Sequence, residues 1–229
     1  MLPFFSYVFP HTAKNLETYR YRMLEAAKAN AAKNGYQGAQ YPWESADDGT
    51  EQCPDWTIEP DGTCYRCYVA VYEHHVTAAV AYGIYNYVRI THDTEFLLHK
   101  GAEILIETAR FWKSRLQYIK ENDRYEIHRV TGPDEWHEPV DNNVYTNYLA
   151  RWNLRYVTAL TEMLSREYPQ EYTALVEKLG LTEEEIADWD AVAAKVYLPR
   201  KEGTQLLEQF EGYFDLKEAV IEKYDSNDW

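Results

Sequence analysis

The chain reads as an all-α domain, and three observations predict this. Of its 229 residues, 45% are hydrophobic, enough for a substantial core. Long stretches rich in Ala, Leu, Glu and Lys carry apolar residues at helical spacing, whereas strand character is confined to residues 125–130. A segment with almost no charge (residues 69–91) precedes a striped one (residues 94–120), as expected of helices in an inner and an outer layer. An α/α toroid and a plain helical bundle both satisfy that alternation. No repeat of 20 to 50 residues decides between them.

The N-terminal run MLPFFSYVFP has no basic flank and no small-residue cleavage site, so it reads as a piece of core and not as a signal peptide. Residues 12–34 predict one helix, closed by Gly35 just past its end. Residues 36–67 have no helical period. Pro42, Asp47-Asp48-Gly49, Pro54 and Pro60-Asp61-Gly62 punctuate them. So long a loop in a compact domain is usually functional. Residues 69–91 predict a helix buried on most sides, because no charge falls between Val76 and Val88. Residues 94–120 form the next, with Leu97, Ile104, Leu105, Thr108, Trp112 and Leu116 in one stripe. Residues 143–166 put Leu149, Trp152, Tyr156, Leu160 and Met163 on one face. A short helix follows over residues 170–178. Thr182 and Glu185 form a capping box for another, running to about Tyr197. From Leu198 the period is weak until residues 216–223.

A net charge of −15 excludes nucleic acid and anionic membrane as partners, since both want a basic face. No apolar run reaches membrane-spanning length. Three cysteines in a chain of this size fit a reducing compartment and a cytoplasmic location. Cys64-x-x-Cys67, with Cys53, His74 and His75, can be drawn as a zinc site. The usual second CxxC is missing, so ordinary free thiols are the better reading and no metal is expected. The 21 Tyr and 7 Trp suit stacking on sugar rings, although core and rim packing accounts for most of them.

The most informative stretch is residues 132–147, GPDEWHEPVDNNVYTN. Asp134, Glu135, Glu138 and Asp141 crowd together, and no Lys or Arg lies between Arg129 and Arg151. Like charges this close cannot all ionise cheaply, so at least one pKa should rise. A carboxyl that keeps its proton near neutral pH is what a general acid requires. A solvated acidic loop and a capped helix start are the alternatives.

This motif resembles the signature of glycoside hydrolase family 65. Tyr19-Arg20-Tyr21-Arg22, residues 38–45 (GAQYPWES), Glu73-x-His75, Gly101-Ala102-Glu103, Ala109-Arg110-Phe111-Trp112 and Glu211-Gly212-Tyr213-Phe214 look like other family segments, in family order. The resemblance spans essentially the whole chain. It implies part of an (α/α)6 barrel, the six-hairpin toroid of inverting disaccharide phosphorylases that act on kojibiose, maltose, trehalose or nigerose. It makes Glu135 the general acid, protonating the glycosidic oxygen while phosphate attacks the anomeric carbon from the opposite face. The products are then β-glucose 1-phosphate and a free acceptor sugar. This is the inverting-glycosidase layout with phosphate replacing the activated water. Phosphate is a co-substrate, and no cofactor is implied.

Glu138 shares the surroundings of Glu135 and is preferred less only on motif position. Asp134 belongs to the same Asp-Glu pair. Trp136 stacks on a sugar, raises a neighbouring carboxyl, or packs in the core. Asp141 and Asn142 either bond sugar hydroxyls or, for Asp141, cap the following helix. Trp43 and Glu44 suit the acceptor wall, and Glu73 and His75 the pocket lining, with packing roles as the alternative. Trp136 and Pro139 depart from many relatives beside the proposed acid, which leaves the acceptor sugar open.

The family's N-terminal β-sandwich, a Trp-Asp pair for the glucosyl unit, a Lys-Gln pair and a phosphate loop have no match in residues 1–229. The expectation is therefore a partial catalytic domain, inactive by itself, within an enzyme that forms a homodimer. An inverting hydrolase using water and a non-catalytic carbohydrate-binding or scaffold protein are the competing functions.

Overall fold

The computed structural model describes residues 2–217. Helices dominate these residues, and strands are limited to two short hairpins. The chain opens with α1 (Leu2–Val8), α2 (Pro10–Arg22) and α3 (Leu24–Lys33). The single helix predicted for residues 12–34 is thus two, because Met23 leaves helical geometry at ψ 6°. The break lets α3 turn Leu24, Ala27 and Ala31 into the core. Gly35 behaves as expected: its φ is +81°, and Tyr36 N–H closes back on Ala31 O at 2.8 Å. The N-terminal run is core on one side only. Leu2 and Phe5 pack inward, while Phe4, Tyr7, Val8 and Phe9 stay exposed.

Within the long loop, β1 (Trp56–Ile58) pairs antiparallel with β2 (Cys64–Arg66) in an exposed hairpin. Next come α4 (Val69–Tyr72) and α5 (His75–Thr91), again two helices where one was predicted. Glu73 breaks them at ψ 63°. Glu73, His74 and His75 are all buried around this break. α6 (Thr94–Phe96) is capped by Asp93 and passes through a π-turn at Leu97–Gly101 into α7 (Ala102–Arg115). All six residues of the predicted stripe are buried. The helix stops short of Lys120 because residues 117–119 have another partner. There β3 (Gln117–Ile119) pairs with β4 (Arg124–Glu126).

The second half comprises α8 (Val144–Glu167), α9 (Pro169–Leu179) and α10 (Glu183–Ala194). Thr182 caps α10 by accepting from Glu185 N–H at 3.1 Å. The Glu185 carboxylate is diverted from the capping box to Arg110, at 2.7 and 2.9 Å, and pins α10 to α7. On α8 the deepest residues are Thr146, Asn147, Ala150, Asn153, Leu154 and Val157. Trp152 and Tyr156 stack at 5.4 Å on the edge toward α5. The predicted helix over residues 216–223 lies largely outside the described residues.

Aromatic pairs fix the direction of the two central helices. His75 meets Tyr145, Tyr82 meets Trp152, and Tyr85 meets Tyr156, at 5.9, 5.2 and 5.0 Å. The numbers rise together, so α5 and α8 run parallel. Parallel neighbours need a long connection, and α7, which packs on both, occupies it.

Candidate active site

The acidic loop is an arch closed at its base. Val130 and Val140 exchange backbone hydrogen bonds at 2.9 and 2.8 Å. Thr131 N–H reaches Tyr72 O at 3.1 Å, bringing the arch against the break between α4 and α5. Asn143 caps α8, its Oδ1 accepting from Thr146 N–H at 3.1 Å. Gly132 lies against that cap, where an added Cβ would stand 2.2 Å from Asn143 Nδ2. The capping role open to Asp141 therefore belongs to Asn143. Asp141 is exposed and accepts from Arg129 N–H at 2.8 Å.

Asn142 is the keystone of the arch. It is fully buried in the left-handed region, at φ +52°. Its Oδ1 accepts from Ile127 N–H at 3.2 Å and from Asn147 Nδ2 at 3.0 Å. Its Nδ2 donates to Glu126 at 3.1 Å and to Glu211 at 2.8 Å. The expectation that Asn142 bonds a sugar hydroxyl is corrected on this geometry: the amide has no free face, and it holds the loop instead.

At the tip, Asp134 is tied back. It accepts from Trp136 N–H at 3.1 Å, meets His137 Nδ1 at 2.8 Å and also receives Gln209 Nε2. The bonds from His137 and Gln209 hold its pKa below the ordinary value. The Glu135 and Trp136 side chains are exposed beside it, Trp136 with 82% of its surface accessible. A core role for Trp136 is thereby removed. Glu138 is exposed and accepts from Thr131 Oγ1 at 3.1 Å.

Glu73 faces this arch. It is buried, and its Oε2 stands 3.0 Å from His75 Nδ1. The approach is off-axis, so neither carboxylate oxygen has a well-formed hydrogen bond among the described residues. Burial raises the Glu73 pKa. His75 pulls it back, and Glu135 and Glu138 push it up again. Crowding predicts a raised carboxyl within the loop; instead Asp134 there is lowered, and the raised group is Glu73, opposite the loop and lifted chiefly by burial. His75 sits edge-on to Trp43 at 5.5 Å and to Tyr145, so these rings wall the same region. His74 points away. It is buried, accepts from Arg115 Nε at 3.1 Å, and is pushed down to about 3 by burial and by Arg115. Among the described residues no three His, Cys, Asp or Glu side chains gather as a metal site.

Three groups of residues escaped the sequence reading. Glu51 organises the Trp43 loop, accepting from the N–H groups of Trp43, Glu44 and Cys53 at 2.7, 3.1 and 3.0 Å. Glu44 itself is exposed. Glu126 is buried under the arch. Its burial is outweighed by His128, Arg124 and Asn142, which together keep its pKa low. Gln209, Phe210 and Tyr213 support the tip, with Phe210 at 5.2 Å from the His137 ring. The signal for the last group was present in the segment Glu211-Gly212-Tyr213-Phe214, which resembles the family but had no assigned place. A recess of about 470 Å³ lies elsewhere, between α5, α8 and the 198–207 segment, lined by Tyr85, Arg151, Trp152, Arg155 and Arg200 among others.

The helices thus carry an anchored acidic arch that presents an exposed carboxyl opposite a wall of aromatic rings. The model of the glycosyl hydrolase family 65 central catalytic domain matches residues 1–228. The chain belongs to that family. It is 54% identical over 227 residues to a kojibiose phosphorylase of Thermoanaerobacter brockii, covering 99% of this chain and 29% of that protein. It is 38% identical to an alpha,alpha-trehalose phosphorylase of the same organism, covering 97% and 27%. A solved structure titled "Putative kojibiose phosphorylase from human microbiome" superposes with a TM-score of 0.83 at 28% identity, covering 99% of this chain and 31% of that one. The chain thus spans less than a third of the length of these relatives.

Proposed function

We propose that these residues form part of the (α/α)6 barrel of an inverting disaccharide phosphorylase, with Glu135 as its general acid. The observation that carries the reading is the division of labour at the arch tip. Asp134 is held ionised by His137 and Gln209, whereas Glu135 next to it is exposed and bound to nothing among the described residues. An acid must reach the glycosidic oxygen, and only the free member of the pair can do so. Glu73 sets a second carboxyl against the same space, and Trp43, His75 and Trp136 offer ring faces and edges to a sugar. Glu138, Asp141 and Glu44 are exposed at the rim. Asn142 and Asp134 position the loop.

In this mechanism Glu135 gives its proton to the leaving oxygen as the bond to the anomeric carbon breaks. Phosphate attacks from the opposite face, giving β-glucose 1-phosphate and an acceptor sugar. The relatives named for kojibiose and trehalose support a disaccharide substrate with phosphate as co-substrate. Residues 1–229 span less than a third of these relatives and are expected to release no glucose 1-phosphate by themselves. In a polypeptide that contains this chain and is active, Glu135→Gln lowers phosphorolysis by at least 100-fold, on the order of the contribution of a general acid. Its circular dichroism and melting temperature stay unchanged. Near-normal turnover in that variant removes Glu135 from the mechanism. Sugar release that is independent of phosphate assigns hydrolysis in its place.

A further inference from the structure

The three cysteines are all free thiols, yet two of them are paired in space. The Cys53 thiol lies beside the Cys67 thiol, near the backbone N–H of Ala70, and its Sγ stands 3.9 Å from Pro54 O. Hairpin register explains the meeting. Trp56 pairs with Arg66, and Cys67 N–H donates to Asp55 O at 2.9 Å. Cys53 and Cys67 therefore lie on one face, diagonally across the foot of the hairpin. Both are partly accessible. Cys64 opposes Ile58 toward the other end of the hairpin, where its side chain is exposed. The close approach is also felt electrostatically: burial and the facing Cys67 push the Cys53 thiol up to about 11.

We propose that Cys53 and Cys67 form a dithiol–disulfide pair, a modification site for small-molecule disulfides of the glutathione type. One protein thiolate attacks a sulfur of the small disulfide and releases a first small thiolate, leaving a mixed disulfide on the protein. The second protein thiolate displaces the remaining small thiolate and closes the Cys53–Cys67 bond. Two protein thiols thus lose two protons and two electrons, and one small disulfide becomes two thiols. Neither cysteine belongs to the sugar-facing residues, so the bond is a separate device. It links the segment held by Glu51, through Cys53 N–H, to the start of α4. The Trp43 wall and the Glu73 turn are thereby tied together covalently.

The test is exposure of the whole chain to oxidised glutathione, an acid quench, alkylation of remaining thiols and peptide mass mapping. The expected result is loss of two of the three thiols within a monomer, with a peptide joining Cys53 to Cys67. Cys64→Ser should behave the same. Cys53→Ser and Cys67→Ser should each retain two alkylatable thiols or stop at a reducible mixed disulfide. Hydrogen exchange in residues 54–66 of the oxidised wild type should slow several-fold, and the slowing should vanish on adding dithiothreitol. A bond that includes Cys64, a bond only between molecules, or three thiols still free after prolonged oxidation would each overturn the proposal. Each outcome is read from thiols and masses, so the result is independent of the catalytic reading.

Discussion

Replacing Asn142 by Ala tests whether the acidic arch is held by its keystone. The substitution removes four hydrogen bonds. Ile127 N–H is left buried without its acceptor, and Asn147 keeps only its bond to Tyr197 O. Each buried group left unpaired costs about 1–3 kcal/mol. Glu126 retains Arg124 and His128, and Glu211 can turn to water, so their loss adds little. Alanine at φ +52° adds about 1 kcal/mol of backbone strain. The sum is roughly 3–7 kcal/mol, in the range of the larger single-site effects. Urea unfolding followed by circular dichroism measures it. Asn142→Gly keeps the hydrogen-bond loss but relieves the strain, so it should be about 1 kcal/mol more stable than Asn142→Ala. Asn142→Asp retains the two accepted bonds yet faces the Glu126 and Glu211 carboxylates, so its deficit should shrink as pH falls. A cost below about 1 kcal/mol for Asn142→Ala would show that the arch does not depend on this side chain.

Glu17 is buried on α2 with its Oε2 unpartnered among the described residues, and burial, opposed by Arg20, raises its pKa from 4.5 to about 8. The folded state therefore binds a proton that the unfolded chain releases above 4.5. The resulting stability is complete below that value and is lost as pH rises through about 8. Glu17→Gln should flatten melting temperature against pH over this interval and be the more stable form at pH 9. Parallel curves for the two proteins would refute the assignment. Gly132→Ala forces a methyl group into the Asn143 cap of α8. Overpacking and a weakened cap together should cost about 2–4 kcal/mol, seen as a lower urea midpoint with faster hydrogen exchange at Val144–Asn147. An unchanged midpoint would show that Asn143 can move aside.

Features set by near neighbours in the chain were legible without coordinates. Gly35 ends α3 because only a few residue types tolerate its positive φ. Thr182 starts α10 because its hydroxyl reaches the N–H three residues on. The stripe of α7 is buried as its spacing requires. The acidic loop was visible as four uncompensated carboxylates, and its family likeness singled out Glu135. The breaks at Met23 and Glu73 were not visible, since neither is marked by Gly or Pro and the helical pattern continues on both sides. The strand over residues 117–119 was hidden for a related reason: its partner, β4, lies beyond a turn, and helix propensity favours the wrong answer.

The composition and local pattern of this chain determined that it is helical, where most helices begin and end, and which loop crowds its carboxylates. Those properties depend on backbone sterics, capping and periodicity, all acting over a few residues. The tertiary structure alone decided that Asn142 is consumed in holding the arch, that Asp134 is tied to Gln209, that burial raises Glu73 opposite the arch, and that Cys53 lies near Cys67. Each of these depends on burial and on partners up to 75 residues away, and desolvation and long-range hydrogen bonding exist only once the helices have packed.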